Sequence, residues 1–168
     1  MLMYFLSHFV KYVEVPVARN LINSRNLSRK RHNRLLAKSG VKIGDESIVT
    51  TPFFYEFGNI AIGCHVYINA GCVFLDNSAI TIGDNSLIGP NVTLSTASHP
   101  CGPAQRSCQL ITAPITLGKN VWLGAGVVVL PGVTIGDNSV IAANSVVTAN
   151  VPENALFAGA PAIFKRNL

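Results

Sequence analysis

Charge is scarce in this chain: Asp, Glu, Lys and Arg make up 12% of its 168 residues, whereas hydrophobic residues make up 49%. A soluble domain ordinarily carries about a quarter charged residues. So apolar a composition excludes an intrinsically disordered protein. So few charges exclude a conventional helical bundle, whose water-facing surfaces need more of them. Asn, Ser, Thr and tight turns, or else contacts between subunits, are expected to cover the surface instead, and an oligomer is expected. Paired cysteines are also missing. Cys64, Cys72, Cys101 and Cys108 form no C-x-x-C motif, and their spacing fits neither a zinc site nor a small disulfide framework. That usage points to a reducing, cytoplasmic setting. The opening Met1–Val10 is apolar but too short to span a bilayer and lacks a positively charged start. Neither a signal peptide nor a membrane span is expected.

Glycine is absent from the first 38 residues, and all fourteen glycines fall from Gly40 onward. Charge divides at the same place. Residues 1–38 hold eight Lys or Arg against Glu14 alone, a net +7, while residues 39–168 net −2. The break separates a basic, helical arm (1–38) from a glycine-bearing body (39–152) and a short tail (153–168). Within the arm, Pro16 divides a short apolar segment from a helical stretch over Val17–Lys38.

The body repeats. Leu117, Leu123, Val129, Ile135, Ile141 and Val147 recur every six residues without a miss. Four residues after the first five stand Val121, Val127, Val133, Ser139 and Ser145, all small or β-branched. A second run reads Ile62, Ile68, Phe74 and Ile80, then after a slip of two, Ile82, Ile88 and Leu94. A period of six fits neither a helix nor an alternating strand. It fits a short strand plus a turn, three of which close a triangular coil, with the aliphatic position pointing inward. Asn and Gly are expected to supply left-handed backbone at the corners, as in Gly83-Asp84-Asn85 and Gly136-Asp137-Asn138. The spacing predicts a parallel β-helix of about five coils, roughly 24 Å tall at about 4.8 Å per coil. Its open ends expose unpaired backbone and need covers, a role that the arm and the tail can fill.

The hexad lapses once, over residues 95–113, between Leu94 and Pro114. Long excursions inside a compact domain tend to be functional. This one opens with Ser95-Thr96-Ala97-Ser98-His99-Pro100 and contains Gly102, Pro103, Arg106 and Cys108. His99 stands where a rigid scaffold gives way to a loop. That position suits a general base, because imidazole titrates near neutrality and the scaffold fixes it in place. No G-x-S-x-G elbow, P-loop or dinucleotide fingerprint is present, so covalent catalysis, nucleotide hydrolysis and hydride transfer lack support.

Several blocks then follow in order: Asn59-Ile60-Ala61-Ile62-Gly63, Asn69, Leu75-Asp76, Gly89-Pro90-Asn91-Val92, Ser98-His99-Pro100, Asn120-Val121-Trp122-Leu123-Gly124, and Ala158-Gly159-Ala160-Pro161. Together they resemble the hexapeptide-repeat O-acetyltransferases of the maltose, galactoside and nodulation-factor type over about residues 52–166. The resemblance implies a left-handed β-helix, a homotrimer, and acetyl-CoA in the cleft between adjacent prisms, with no metal required. It implies that His99 takes the proton of a sugar or glycan hydroxyl, which attacks the thioester directly. Asn69, Asp76 and Asn77 match acceptor-side positions or their neighbours, and Trp122, Gly124, Ala125, Ala143, Thr148 and Arg166 match the coenzyme side. A backbone N–H near Gly124-Ala125 is placed to receive the oxyanion. The departures are an arm without the family's acidic helical segment, Asp76-Asn77 where the galactoside enzymes carry two acids, Ala149 where Lys is common and Ile163 where Arg is common.

Two rivals and one added role stay open. A γ-type carbonic anhydrase shares the prism but needs three histidines, two of them close in sequence, whereas His65 and His99 are 34 apart. A non-catalytic scaffold has no use for His99 and its excursion. The arm, with Arg25, Arg29, Lys30, Arg31, Arg34 and Lys38, has no interleaved aromatics, so no nucleic-acid partner is expected. It reads either as a cap that buries Phe5, Phe9 and Tyr12, or as a weak membrane-surface contact helped by Leu2, Phe5, Leu6 and Phe9.

Overall fold

A computed structural model describes residues 10–168, and the expected left-handed parallel β-helix is what they form. Two helices, α1 (Val15–Ser24) and α2 (Arg29–Lys38), precede it. The first coil is β1 (Lys42–Ile43), β2 (Ile48–Val49) and β3 (Phe53–Tyr55), and the second is β4 (Ile60–Ile62), β5 (Tyr67–Ile68) and β6 (Cys72–Leu75). The third is β7 (Ile80–Ile82), β8 (Leu87–Ile88) and β9 (Thr93–Ser95), after which the chain departs through β10 (Ala97–Ser98) and β11 (Ile111–Thr112). It returns as β12 (Ile115–Leu117), β13 (Trp122–Leu123), β14 (Val128–Val129), β15 (Thr134–Ile135), β16 (Val140–Ile141) and β17 (Val146–Val147). The tail adds β18 (Ala155–Ala158) and β19 (Ile163–Asn167).

Equivalent strands stack in register. The first face is β1-β4-β7-β12-β15, the second is β2-β5-β8-β13-β16-β18, and the third is β3-β6-β9-β14-β17, all parallel. Every hexad aliphatic from Ile62 to Val147 is buried, and together they form one continuous core. The inward serines are satisfied by the next coil. Ser139 Oγ donates to the Pro152 carbonyl at 2.6 Å and accepts from the Ala155 N–H at 3.2 Å.

Asn and Gly both supply left-handed backbone at corners, glycine at Gly71 (φ 81°) and Gly126 (φ 68°), but the two turns singled out divide the labour. The asparagines take the left-handed backbone, with φ of 61° at Asn85 and 60° at Asn138. Gly83 and Gly136 are not left-handed. A Cβ on Gly83 would lie 2.5 Å from the backbone of Gly118, so glycine stands there because coils approach too closely for any side chain. The slip of two in the hexad also finds its cause. The third-to-first corner is the irregular one, passing through Asp76-Asn77-Ser78 in the second coil and the whole excursion in the third.

The arm is two helices rather than one stretch over Val17–Lys38. It breaks at Arg25–Ser28, and Pro16 sits in the first turn of α1, where its missing N–H costs nothing. Ala18, Leu21, Ile22, Leu35 and Leu36 are buried, and all but Ala18 join the core beneath the first coil. The arm therefore covers the open end. Tyr12, expected to share that burial, is 55% exposed. Phe5 and Phe9, with Leu2 and Leu6, lie outside the described residues. The tail continues the second face, with Ala155 buried on the core, before β19 folds back antiparallel as an exposed edge. No helix among the described residues is long and apolar enough to cross a membrane.

Candidate active site

A groove of about 710 Å³ runs along the second face and its edge toward the third. It is lined by Asn69, Trp122, Gly124, Ala125, Ala143 and Arg166, together with Tyr67, Leu87, Gly89, Pro90 and Leu156. Its edge is nearly bare backbone. A Cβ on Gly89 would lie 2.7 Å from the Ala125 nitrogen, and one on Gly124 would lie 2.5 Å from the Ala143 nitrogen. The coils therefore sit flush, leaving a shallow channel bounded by small residues. Its wall is apolar: Trp122, 53% exposed, pairs in register with Leu87 below and Val140 above. Arg166 on β19 adds a guanidinium at the far end, opposite Leu156. The Gly124 N–H already donates to the Ile141 carbonyl at 2.8 Å. Of the two amides singled out in sequence, Ala125 is thus the one outside the coil ladder.

The excursion leaves and rejoins the prism through a short antiparallel pair, Ala97 opposite Thr112 and Ser98 opposite Ile111, which makes it a hairpin. His99 follows it immediately and is exposed. Its Nδ1 lies 3.1 Å from the Gln109 carbonyl on the other limb. A carbonyl only accepts, so Nδ1 carries the proton in this bond and Nε2 presents its lone pair, the arrangement a general base needs. Arg106 Nη2 donates to the Cys101 carbonyl at 2.7 Å and braces the hairpin's tip.

Within one chain these residues do not all meet. Asn69, Trp122, Gly124, Ala125, Ala143 and Arg166 share the groove. His99 is not among its lining residues and sits at the third-to-first corner. Asn77 lies at that corner's edge with the first face, beside Asn59 and Thr81. Thr148 is exposed just past β17, outside the groove. Asp76 differs most from expectation, because it is fully buried. Its Oδ1 accepts from the Glu56 N–H at 2.6 Å and its Oδ2 from the Asn59 N–H at 2.7 Å, with Phe57 N–H at 3.2 Å from both. The carboxylate closes the preceding coil's corner instead of facing an acceptor. Cys72, buried beside the groove, has its thiol pushed up by burial, which argues against a thiolate nucleophile there.

Sequence reasoning missed the groove's apolar wall, though a signal existed. The residue before each inward aliphatic on the second face is Ile48, Tyr67, Leu87, Trp122 or Val140, whereas the outward residues of the first face include Thr81, Thr116 and Thr134.

A prism with an apolar second face, flush glycine edges and a histidine-bearing hairpin is the frame of a hexapeptide transferase. Residues 114–149 match the family model of the bacterial transferase hexapeptide (six repeats), and residues 79–97 match that of the hexapeptide repeat of succinyl-transferase. Nodulation protein L of Rhizobium meliloti is 47% identical over 123 residues, 72% of this chain and 67% of that protein. Galactoside O-acetyltransferase of Escherichia coli is 42% identical over 134 residues, 79% of this chain and 66% of that one. A Vibrio cholerae hexapeptide-repeat acetyltransferase solved with acetyl coenzyme A superposes with a TM-score of 0.86 at 42% identity, covering 90% of this chain and 83% of that one. The chain belongs to the hexapeptide-repeat acetyltransferase family. It spans 56% to 67% of the length of the nodulation and galactoside proteins it matches.

Proposed function

We propose that this chain is an acetyl-CoA-dependent O-acetyltransferase that modifies a hydroxyl of a sugar or glycan precursor, and that it works as a cytoplasmic homotrimer. The observation that carries the reading is the separation of His99 from the groove. One chain carries a channel on its second face and His99 on its third-to-first corner, so in this reading a complete site forms when one protomer's hairpin meets its neighbour's groove. The apolar wall of Tyr67, Leu87 and Trp122 gives that neighbour a surface to cover.

In the reaction, His99 Nε2 removes the proton of the acceptor hydroxyl, and that oxygen attacks the thioester carbonyl carbon. The new C–O bond forms as the carbonyl becomes an oxyanion, which the Ala125 N–H receives. The C–S bond then breaks, and the imidazolium returns the proton to the departing thiolate, giving acetyl ester and free coenzyme A. Trp122 and the small residues of the groove edge hold the pantetheine arm, and Arg166 binds a phosphate of the coenzyme. Asn69 orients acceptor hydroxyls; Asn77 and Thr148 enter the site only from a neighbouring copy. Two relatives and neighbours bear on this reading: the galactoside enzyme is named for a sugar acceptor, and the Vibrio cholerae structure holds acetyl coenzyme A. The test is release of coenzyme A thiol from acetyl-CoA against a panel of neutral and charged sugars. Release with at least one sugar, and none without an acceptor, is the expected outcome. No release with any acceptor overturns it.

A further inference from the structure

The hairpin that carries His99 also carries Cys101 and Cys108, and both are exposed free thiols. Cys64 and Cys72 belong to the prism, the first half-buried and the second buried. The spacing of the four fits no structural disulfide framework. A reversible bond within one exposed loop makes a different demand: two sulfurs that can meet, and access for the reagent that joins them.

The hairpin's register supplies the first. Carried outward by three residues on each limb from Ser98 opposite Ile111, it sets Cys101 opposite Cys108. The Ala113 N–H donates to the Thr96 carbonyl at 3.0 Å, which marks that pair as a hydrogen-bonded one. Alternation along an antiparallel register then makes the position of Cys101 and Cys108 a non-hydrogen-bonded one. Opposed residues come closest there, at a Cα separation of about 4.5 Å in a regular ladder, within the span of a disulfide. The ladder itself stops at Ser98, but the limbs stay tied beyond it. His99 Nδ1 donates to the Gln109 carbonyl at 3.1 Å on the inner side of the cysteines, and Arg106 donates to the Cys101 carbonyl at 2.7 Å. The residues between the cysteines fold back through two turns, closed by the Gln105 N–H to the Gly102 carbonyl at 3.3 Å and the Cys108 N–H to the Gln105 carbonyl at 3.1 Å.

What the bond does follows from what adjoins it. In the dithiol form Cys108 Sγ lies 3.6 Å from Ser107 Oγ, turned toward its own neighbour. The Cys108 and Gln109 N–H groups both donate to the Gln105 carbonyl, each at 3.1 Å, so the two residues move as one turn. Drawing Cys108 to Cys101 therefore swings the Gln109 carbonyl, the group that holds the Nδ1 proton of His99.

We propose that Cys101 and Cys108 are a reversible dithiol–disulfide site, oxidised by a low-molecular-weight disulfide such as glutathione disulfide, and that closing it unseats His99. The thiolate of one cysteine attacks a sulfur of the reagent, whose S–S bond breaks as one glutathione leaves and takes up a proton. The other cysteine displaces the second glutathione from the mixed disulfide. Two protein thiols thus become one disulfide, and the reagent is reduced to two thiols. The effect on His99 rests on the O-acetyltransferase reading above, whereas formation of the bond does not, and the test reads them apart. The whole protein is treated with glutathione disulfide, freed of reagent, and digested with trypsin, which cuts after Arg106 between the two cysteines. Peptides from either side of that cut should remain joined, separate on reduction, and be unjoined in Cys101→Ser and Cys108→Ser. A mixed disulfide that persists on either cysteine, or a link made through Cys64 or Cys72, overturns the site. Turnover, followed as acetyl ester formed, should fall about tenfold or more in the oxidised protein, as a displaced base requires, and return on reduction. Neither serine variant should respond to the reagent. Joined peptides with turnover unchanged overturn the effect on His99 while leaving acetyl transfer intact. Should no acceptor be turned over, the effect is read from the His99 ring NMR signals before and after oxidation. A shift reversed by reduction and missing in both serine variants upholds it, and unmoved signals overturn it.

Discussion

At the scale of single residues, chemistry and architecture separate cleanly. His99 makes one hydrogen bond, through Nδ1 to the Gln109 carbonyl, and buries nothing, so removing its ring leaves the prism untouched. His99→Ala should lower kcat by about 10²- to 10⁴-fold and leave the thermal midpoint within error. A folded His99→Ala protein that keeps its turnover would remove His99 from the mechanism. Asp76 is the converse case. Both carboxylate oxygens accept backbone N–H groups in the interior. Asp76→Ala leaves three backbone N–H groups without their shared acceptor and should destabilise the protein by roughly 2 kcal/mol or more, with KM for acceptor following only as the fold loosens. A stable Asp76→Ala protein with raised acceptor KM would restore the acceptor-side role. The hexad aliphatics were legible in the sequence because each is fixed by its own spacing. Asp76 was not: its partners Glu56, Phe57 and Asn59 belong to the previous coil, and only the stacking brings them under its carboxylate.

At the scale of elements, the arm shows how burial and charge were separable in part. Its basic residues could be counted, but which side of it faces the core depends on where the helix breaks, and no glycine marks that point. The break at Arg25–Ser28 turns α2 so that Leu35 and Leu36 enter the core and His32 goes with them. Burial lowers the His32 pKa below 6.5, opposed in part by its hydrogen bond with Asn33. In the unfolded chain the same imidazole protonates near 6.5, so below that pH the unfolded state binds the extra proton. The contribution of neutral His32 is therefore complete above about pH 6.5 and is lost as pH falls from there toward its folded pKa, by at most roughly 1.4 kcal/mol per pH unit for one proton. Thermal melts at pH 7.5 and pH 5.5 should differ more for the intact protein than for His32→Gln. Identical pH slopes for the two proteins would show that His32 is not the group responsible. The excursion was legible as a departure from the repeat but not as a hairpin, because the Ala97–Ser98 and Ile111–Thr112 strands are too short to carry a pattern.

At the scale of the whole molecule, the divided site makes a sharp quantitative demand. The hairpin bearing His99 and the groove bearing Ala125 and Ala143 are at different corners of one prism, and the apolar second face between coils carries Tyr67, Leu87 and Trp122 to the surface. Light scattering should give a mass near three chains. That mass should hold at high salt, since apolar contacts rather than screened charges carry the interface. Mixing separates a shared site from an internal one. His99→Ala leaves every groove intact but supplies no base. Ala143→Trp, at an exposed position on the groove edge, leaves every base intact but fills the channel. Each homotrimer is inactive by either account. In trimers reassembled from equal amounts of both, a site drawn from two neighbours has an intact base and an intact groove in about a quarter of cases, because the two choices are independent in a cyclic assembly. A site contained in one chain has both intact in none. Activity recovering to about a quarter of the unmodified level after mixing is therefore the expected result, with the mixed species counted by native mass spectrometry. Mixed trimers that form and stay inactive would put the whole site within a single chain.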